Sequence, residues 1–306
     1  MFTGGGGAGN ELIFRLLKDK YNLSFCDANI NSIDPSIPDN RKEHIPLANS
    51  PDFVEEIKKI CKERSVDLLV PSVDEELLQL KKIKINTLLP DNNYIEMMID
   101  KFDMIKAFET KGLNVPRVWK SNEIEKIDST NFPLIVKPRH GRGSKHVELL
   151  NSKKHFESYL SFNNLDKNEV FLEQFIDGIE YTILMAANKE NELKAIVPVK
   201  VLSKKGITIS AITEKETKVI EFCEKMHSLR PTKGCYNIQL KLSSNGNPYP
   251  FEINPRISTT FGLGLASGVD PISIYLEGED KTYNSKGIGD FKEGVTINRH
   301  WHNYVN

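Results

Sequence analysis

Residues 236–258 read YNIQLKLSSNGNPYPFEINPRIS, and Asn245-Gly246 stands midway between two runs that alternate apolar and polar residues. Asn-Gly is the strongest short signal for a two-residue turn, since both central positions need positive φ. Folding the stretch there sets Gln239 opposite Glu252 and Asn237 opposite Asn254, and the period of two puts all four on one face. Ile238, Leu240, Phe251 and Ile253 fall on the other face, suited to a core. Pro248 and Pro250 withhold backbone donors and allow a longer loop, which keeps the same facing pairs if it is symmetric. Oxygens of Gln239, Glu252 and Asn254 then converge, a set suited to a hard cation, Mg²⁺ or Mn²⁺, holding phosphate oxygens. The guanidinium of Arg256 suits the phosphate itself. A half-solvated ribbon with a polar outer face accounts for the same pattern taken alone.

At 306 residues the chain is long enough for more than one core. Hydrophobic content of 39% with 27% charge is that of a globular protein, and a net charge of −1 offers no long-range field for nucleic acid or acidic membranes. Any bound anion is therefore held by a local cluster. Cys26, Cys61, Cys223 and Cys235 are far apart and form no C-x-x-C pair, which argues against a zinc site or a disulfide framework and fits a reduced, cytoplasmic setting. Nothing reads as an export signal or membrane anchor.

The first ninety or so residues alternate strand and helix, which implies a parallel sheet covered on both faces. A glycine run, residues 4–7, with Gly9, leads into a helix from Asn10 to Lys20 with Leu12, Ile13, Leu16 and Leu17 inward. A strand from Asn22 to Cys26 ends at Asp27. Ser50-Pro51 opens a second helix with Phe53, Ile57, Ile60 and Cys61 buried, and Val66 to Val70 is a buried strand stopped by Pro71. A helix spans Tyr94 to Phe108. Beyond Pro116 the pattern turns antiparallel, with strands at Pro133–Lys137, Val170–Phe175 and Tyr181–Ala187 and helices at Ser152–Phe162 and Glu214–Leu229.

Gly4, Gly6 and Gly9 satisfy G-x-G-x-x-G, with Asp27 placed as a ribose-binding acid, so a nicotinamide-dependent oxidoreductase is one alternative. A tight strand-to-helix turn explains the glycines equally simply, and such a turn can hold a substrate carboxylate. Lys137 and the loop from Arg139 to Lys145 form a phosphate-sized cluster in which Gly141 and Gly143 admit close backbone approach and Ser144 donates; a basic hairpin tip is the plainer account. Glu173-Gln174-Phe175-Ile176 precedes Gly178, a connector with free backbone donors fit for an adenine edge, and Glu180 can accept ribose hydroxyls; an exposed acidic turn is the plainer account. His300 and His302 form an H-x-H pair in a polar tail.

Together FPLIVKPRHGRGSKHV, FLEQFIDGIEYT, YNIQL…YPFEINPRIS and TTFGLGLASGVDP resemble the ATP-grasp enzymes, most closely the synthetase modules of the carbamoyl-phosphate-synthase large subunit and similar single-module ligases. The resemblance runs from the glycine-rich start to about Leu276. It implies a fold of mixed α/β and α+β class. Residues 1–93 would form a Rossmann-like pre-ATP-grasp domain, 94–115 a connecting helix, 116–175 the lid, and 176–306 a C-terminal antiparallel-sheet domain. It also implies that Lys101 and Lys137 contact ATP phosphate, Gly143 and Ser144 belong to the closing lid, Glu173 to Ile176 form the adenine hinge, and Glu180 accepts the ribose. Gln239, Glu252 and Asn254 are the implied ligands of two Mg²⁺ or Mn²⁺ ions, and Arg256 the catalytic group on the transferred phosphoryl. His146 stands where relatives often carry a further glycine. The implied reaction is ATP-dependent activation of a carboxylate as an acylphosphate for attack by an amine. A single module without a second one or a glutaminase points away from carbamoyl phosphate synthesis and toward an amide or peptide product. The partners are then a small carboxylate and an amine, and a homodimer is compatible with this. Gly5 to Gly9, Ser72, Asp74 and Glu75 are candidates to face the substrate. A non-catalytic nucleotide-binding sensor or subunit is the other alternative.

Overall fold

The computed structural model describes residues 1–276 and 287–300. Strands β1 (Phe2–Thr3), β2 (Phe25–Asp27) and β3 (Lys42–His44) pair in parallel in that order, with helices α1 (Asn10–Leu17), α2 (Phe53–Glu63) and α3 (Asp74–Leu80) between and beyond them. The strand expected over Val66–Val70 narrows to parallel bridges at Val70, to Phe2, and at Leu69, to Thr87. Ser65, at φ 49°, and the exposed Asp67 keep its first half in the turn that leaves α2. In α1 the apolar stripe is Ile13 and Leu17, while Leu16 is 41% exposed rather than inward.

The single helix expected from Tyr94 to Phe108 is two, α4 (Asn92–Ile99) and α5 (Lys101–Glu109). Asp100 breaks them, leaving the helical region at φ −90°, ψ 109° while its Oδ1 accepts from the amides of Phe102 and Asp103 at 3.0 and 3.1 Å. Apolar periodicity runs unbroken through the kink, which hides it. The cap satisfies amides that an N-terminus leaves orphaned and is worth about 1 kcal/mol.

A small antiparallel sheet follows, β4 (Val118–Lys120), β5 (Leu134–Pro138), β6 (Glu148–Leu150) and β7 (Val170–Gln174) in the order β4-β7-β5-β6, packed on α6 (Lys153–Asn163) through Val136, Leu150, Phe156 and Leu172. The large sheet comprises β8 (Gly178–Ala187), β9 (Leu193–Lys205), β10 (Ile207–Thr213), β11 (Gly234–Ser243), β12 (Pro248–Asn254) and β13 (Thr296–Asn298), ordered β12-β11-β8-β9-β10-β13 and antiparallel throughout. Helices α7 (Thr217–Leu229), α8 (Phe261–Ala266) and α9 (Pro271–Tyr275) complete it.

One face of the large sheet buries Ile183, Met185, Ile238, Leu240 and Ile253 against α4, α5 and α7. The opposite face buries Leu184, Ala186, Val197 and Cys235 in a core shared with Phe2, Phe25, Phe261 and Leu263, so the parallel and antiparallel sheets are locked together. Each such buried side chain contributes roughly 1.5–3 kcal/mol. Gly262 makes the junction close: a Cβ there would lie 2.7 Å from Leu12. The polar end of this shared face carries Gln239, Glu252 and Asn254. Among the described residues no helix is long and apolar enough to cross a membrane, and all four cysteines are free and buried.

Candidate active site

The hairpin of β11 and β12 keeps the expected pairs, Gln239 with Glu252 and Asn237 with Asn254, by a different route. Nearer the turn Leu240 faces Pro250 and Leu242 faces Pro248, so the loop has three residues, Ser244 to Gly246, and only Gly246, at φ 80°, is left-handed. A bulge at Phe251 then restores the register. The expected two-residue turn and the core position of Phe251 are both corrected: Pro250 is buried instead, and Phe251 turns half-buried into the cleft beside Lys137. Bulges re-aim side chains next to functional sites, and this one frees an aromatic ring for the cleft.

Gln239 Oε1 is buried with no hydrogen-bond partner among the described residues. A sealed amide oxygen costs about 1–3 kcal/mol, which a cation would recover. Glu252 Oε1 lies 3.2 Å from Lys101 Nζ, and Asn254 Oδ1 accepts from Arg256 Nη2 at 3.2 Å. One carboxylate and two amide oxygens form a hard donor set that fits Mg²⁺ or Mn²⁺. Asn237 serves differently, donating to Arg256 O at 3.0 Å and holding the chain as it leaves β12. Among the described residues no three His, Cys, Asp or Glu side chains cluster as a metal site. Of the histidine pair, His302 lies outside the described residues and His300 is exposed.

The kink at Asp100 aims Lys101 into the cleft, where Nζ also donates to Gly141 O at 2.6 Å. The capping carboxylate is itself gripped by Arg139 Nε at 2.7 Å, tying α5 to the end of β5. Lys137, 4% exposed, sits 2.7 Å from Glu173 Oε2, donates to Phe251 O at 3.0 Å and lies 5.3 Å from the rings of both Phe171 and Phe251. Glu173, expected within the adenine hinge, lines the smaller cavity with its side chain buried as the counter-ion of Lys137. Burial pushes its carboxyl upward and Lys137 opposes that. Gln174 ends β7 with its amide donating to Arg117 O at 2.8 Å, leaving Phe175 and Ile176 as the connector to β8. Glu180 is held by Lys204 at 2.9 Å and Lys241 at 3.3 Å.

The loop between β5 and β6, where the lid is expected, carries left-handed backbone at Gly141, Gly143, Ser144 and His146, with φ of 112°, 69°, 58° and 56°. His146 thus adopts the conformation a glycine would take most easily, stabilised by Nδ1 to Asn163 Oδ1 at 2.9 Å and by Tyr159, which donates to its carbonyl at 2.7 Å. Two cavities meet beneath this loop. One, of about 330 Å³, is lined by Lys101, Lys137, Ser144, Glu173 to Ile176, Glu180 and Phe251. The other, of about 670 Å³, extends past Gly143, Gln239, Asn254 and Arg256 to the N-terminal glycines. Arg142, Lys204 and Glu252 line both.

Arg256 is gripped by Asp74, Nε to Oδ1 and Nη2 to Oδ2 each 2.7 Å, and donates from Nη1 to Ile257 O at 2.9 Å. With Asn254, these contacts use four of its five donors. Asp74, expected to face a substrate, is thus the residue that orients Arg256. Lys204 at the β9–β10 hairpin tip, Lys241, and Arg142, whose Nε lies 3.2 Å from Glu75, also line the cleft; no periodicity marks them in the sequence. In the glycine turn that the dinucleotide alternative reads, Asp27 Oδ2 accepts from Gly6 N and Oδ1 from Asn29 N, both at 2.9 Å, and Asn10 Nδ2 donates to the Gly4 and Gly5 carbonyls, so the turn is bonded within itself.

A family model described as ATP-grasp domain matches residues 98–260, more than half of the chain. The carbamoyl phosphate synthase large chain of Clostridium botulinum strain Kyoto is 25% identical over 238 residues, 71% of this chain but 22% of that protein. The chain thus spans about a fifth of the length of the curated relatives it matches. Among solved structures it resembles a biotin carboxylase–β,γ-ATP complex from Campylobacter jejuni, at TM-score 0.72 and 13% identity over 96% of this chain and 73% of that one. It also resembles an L-amino acid ligase from Bacillus licheniformis, at TM-score 0.68 and 16% identity over 90% and 72%. The two cavities, the bulged hairpin and the match across 98–260 agree, and the chain belongs to the ATP-grasp family.

Proposed function

We propose that the chain is an ATP-dependent ligase that activates a carboxylate as an acylphosphate for an amine or similar nucleophile. The observation that carries this is the unpartnered Gln239 Oε1 beside Glu252 and Asn254, at the seam between a nucleotide-sized cavity and a larger one. The adenine would pack between Phe175, Ile176 and Phe251 in the smaller cavity, with the ribose toward Glu180. Lys101, Lys137 and the lid amides around Gly143 and Ser144 would meet the phosphates, and Arg256, oriented by Asp74, the transferred group. One or two Mg²⁺ or Mn²⁺ ions held by Gln239, Glu252 and Asn254 would supply charge neutralisation and Lewis acidity.

A carboxylate oxygen attacks the γ-phosphorus and the bond to ADP breaks. The amine lone pair then attacks the acyl carbon, phosphate leaves, and the nitrogen loses its proton. Phosphoryl transfer needs positioning and positive charge rather than a nucleophilic side chain, which matches a cleft rich in lysine and arginine and free of reactive cysteine. The lid loop resting above Gly206 would keep water from the intermediate. Four buried free thiols accord with a reducing, cytoplasmic setting.

Incubating the protein with Mg-ATP, a panel of carboxylates and amines, and measuring ADP against amide tests the assignment. ADP and amide in equal amounts are expected, with Glu252→Gln reducing turnover at least ~100-fold. Release of AMP overturns the acylphosphate route, and Mg-ATP binding without turnover favours a nucleotide sensor.

A further inference from the structure

The larger cavity has two chemically different ends. At the seam its cations are matched, Arg142 with Glu75, Lys204 with Glu180 and Arg256 with Asp74. Beside it, along the wall formed by the ends of β1 and β2 and the start of α3, stand Asp27 and Glu76, and among the described residues neither is in ion-pair contact with a lysine or arginine. Glu76 is only 4% exposed. Thr3 donates to its Oε2 from the end of β1, and Thr3 in turn accepts from Ser72 N at 3.3 Å. Oε1 of Glu76 accepts no hydrogen bond from the described residues, although the side chain lines the cavity. Each Asp27 oxygen takes one backbone amide, which leaves lone pairs free on both.

A buried carboxylate with an open oxygen and no counter-ion is costly unless something completes it. Burial pushes the Glu76 carboxyl up to about 7, so the group is poised to ionise when a cation arrives. Glu76 lies two residues from Asp74, the partner of Arg256, so their Cα atoms are within about 7 Å. A molecule of amino-acid size therefore spans from this wall toward the seam.

We propose that this wall receives a substrate ammonium: the carboxylate that the chain activates belongs to an amino acid, whose charged amine sits against Glu76 Oε1 and Asp27 while its carboxylate points to Arg256 and Glu252. The inference rests on the ligase reading above. Two carboxylates hold the amine protonated, so it has no lone pair for attack. The nucleophile must be a second molecule, because the bound amino acid's own amine cannot attack an acylphosphate while it is held protonated.

The test pairs glycine, alanine, leucine, glutamate, β-alanine and 4-aminobutanoate with their deamino counterparts, such as acetate, propionate, 4-methylpentanoate and glutarate. Thermal shift and ADP release are measured on the full chain with Mg-ATP. At least one ammonium compound should shift the melting temperature and release ADP where its counterpart does neither. Glu76→Gln, which keeps an acceptor for Thr3, should weaken the ammonium compound by ~10–100-fold and leave Mg-ATP stabilisation intact. Equal response to the deamino series, no response to any ammonium compound, or a Glu76→Gln protein that still discriminates overturns the subsite; ADP released from deamino acids leaves the ligase standing. Glu76-dependent binding of an amino acid without ADP release does the reverse, retaining the subsite and removing the ligase.

Discussion

Gln239 and Glu76 show how single side chains betray a cleft: each leaves an oxygen unmatched where the surrounding fold is otherwise well satisfied. Glu76 also has a consequence for stability. Burial raises its carboxyl to about 7, reinforced by Asp27 and Glu75 and opposed by the hydroxyl of Thr3 and by Arg142. In the unfolded chain a glutamate ionises near its ordinary value of 4.5. Between those values the unfolded state has lost a proton that the folded state keeps, so stability falls as pH rises through this window and levels off above it. Urea melts across the window should show the wild type losing roughly 3 kcal/mol more than Glu76→Gln. Parallel slopes would mean that Glu76 is already ionised in the folded protein.

Among the elements, the paired helices α4 and α5 carry the sharpest dependence on one residue. Asp100 caps α5 and holds Arg139 at the end of β5, so it fixes both the direction of Lys101 and the approach of the small antiparallel sheet. Asp100→Ala is expected to cost about 1–2 kcal/mol of stability through the lost cap and ion pair. It should also raise the apparent KM for ATP about tenfold as Lys101 loses its aim. Matched denaturant melts and steady-state kinetics check this; a stability loss with unchanged KM would separate Lys101 from nucleotide binding. The hairpin gives a second lesson at this scale. Asn245-Gly246 marked where β11 and β12 fold back, and alternation placed Gln239 across from Glu252. The extra residue in the loop and the compensating bulge cancel in the register beyond Phe251, so only the stretch from Pro248 to Phe251 changes faces.

Taken whole, the molecule places its two cavities between the small antiparallel sheet, the parallel sheet and the large antiparallel sheet, so a ligand at the seam bridges all three. Mg-ATP at one hundred times its dissociation constant should stabilise the fold by about 2.7 kcal/mol, seen as a rise in melting temperature that EDTA abolishes. The same rise with ATP in EDTA would detach the Gln239, Glu252 and Asn254 set from metal binding. Sequence alone determined the alternating first ninety residues, the antiparallel remainder and the facing of Gln239, Glu252 and Asn254, because these follow from periodicity and turn chemistry within a few residues. The tertiary structure decided the helix break at Asp100, the pairing of Asp74 with Arg256, the burial of Glu173 under Lys137 and the unpaired wall of Asp27 and Glu76. The last three involve residues on separate elements, and a one-dimensional pattern holds no record of which charges burial will bring together or leave without a partner, whereas the break at Asp100 is a local cap masked by the apolar periodicity running through it.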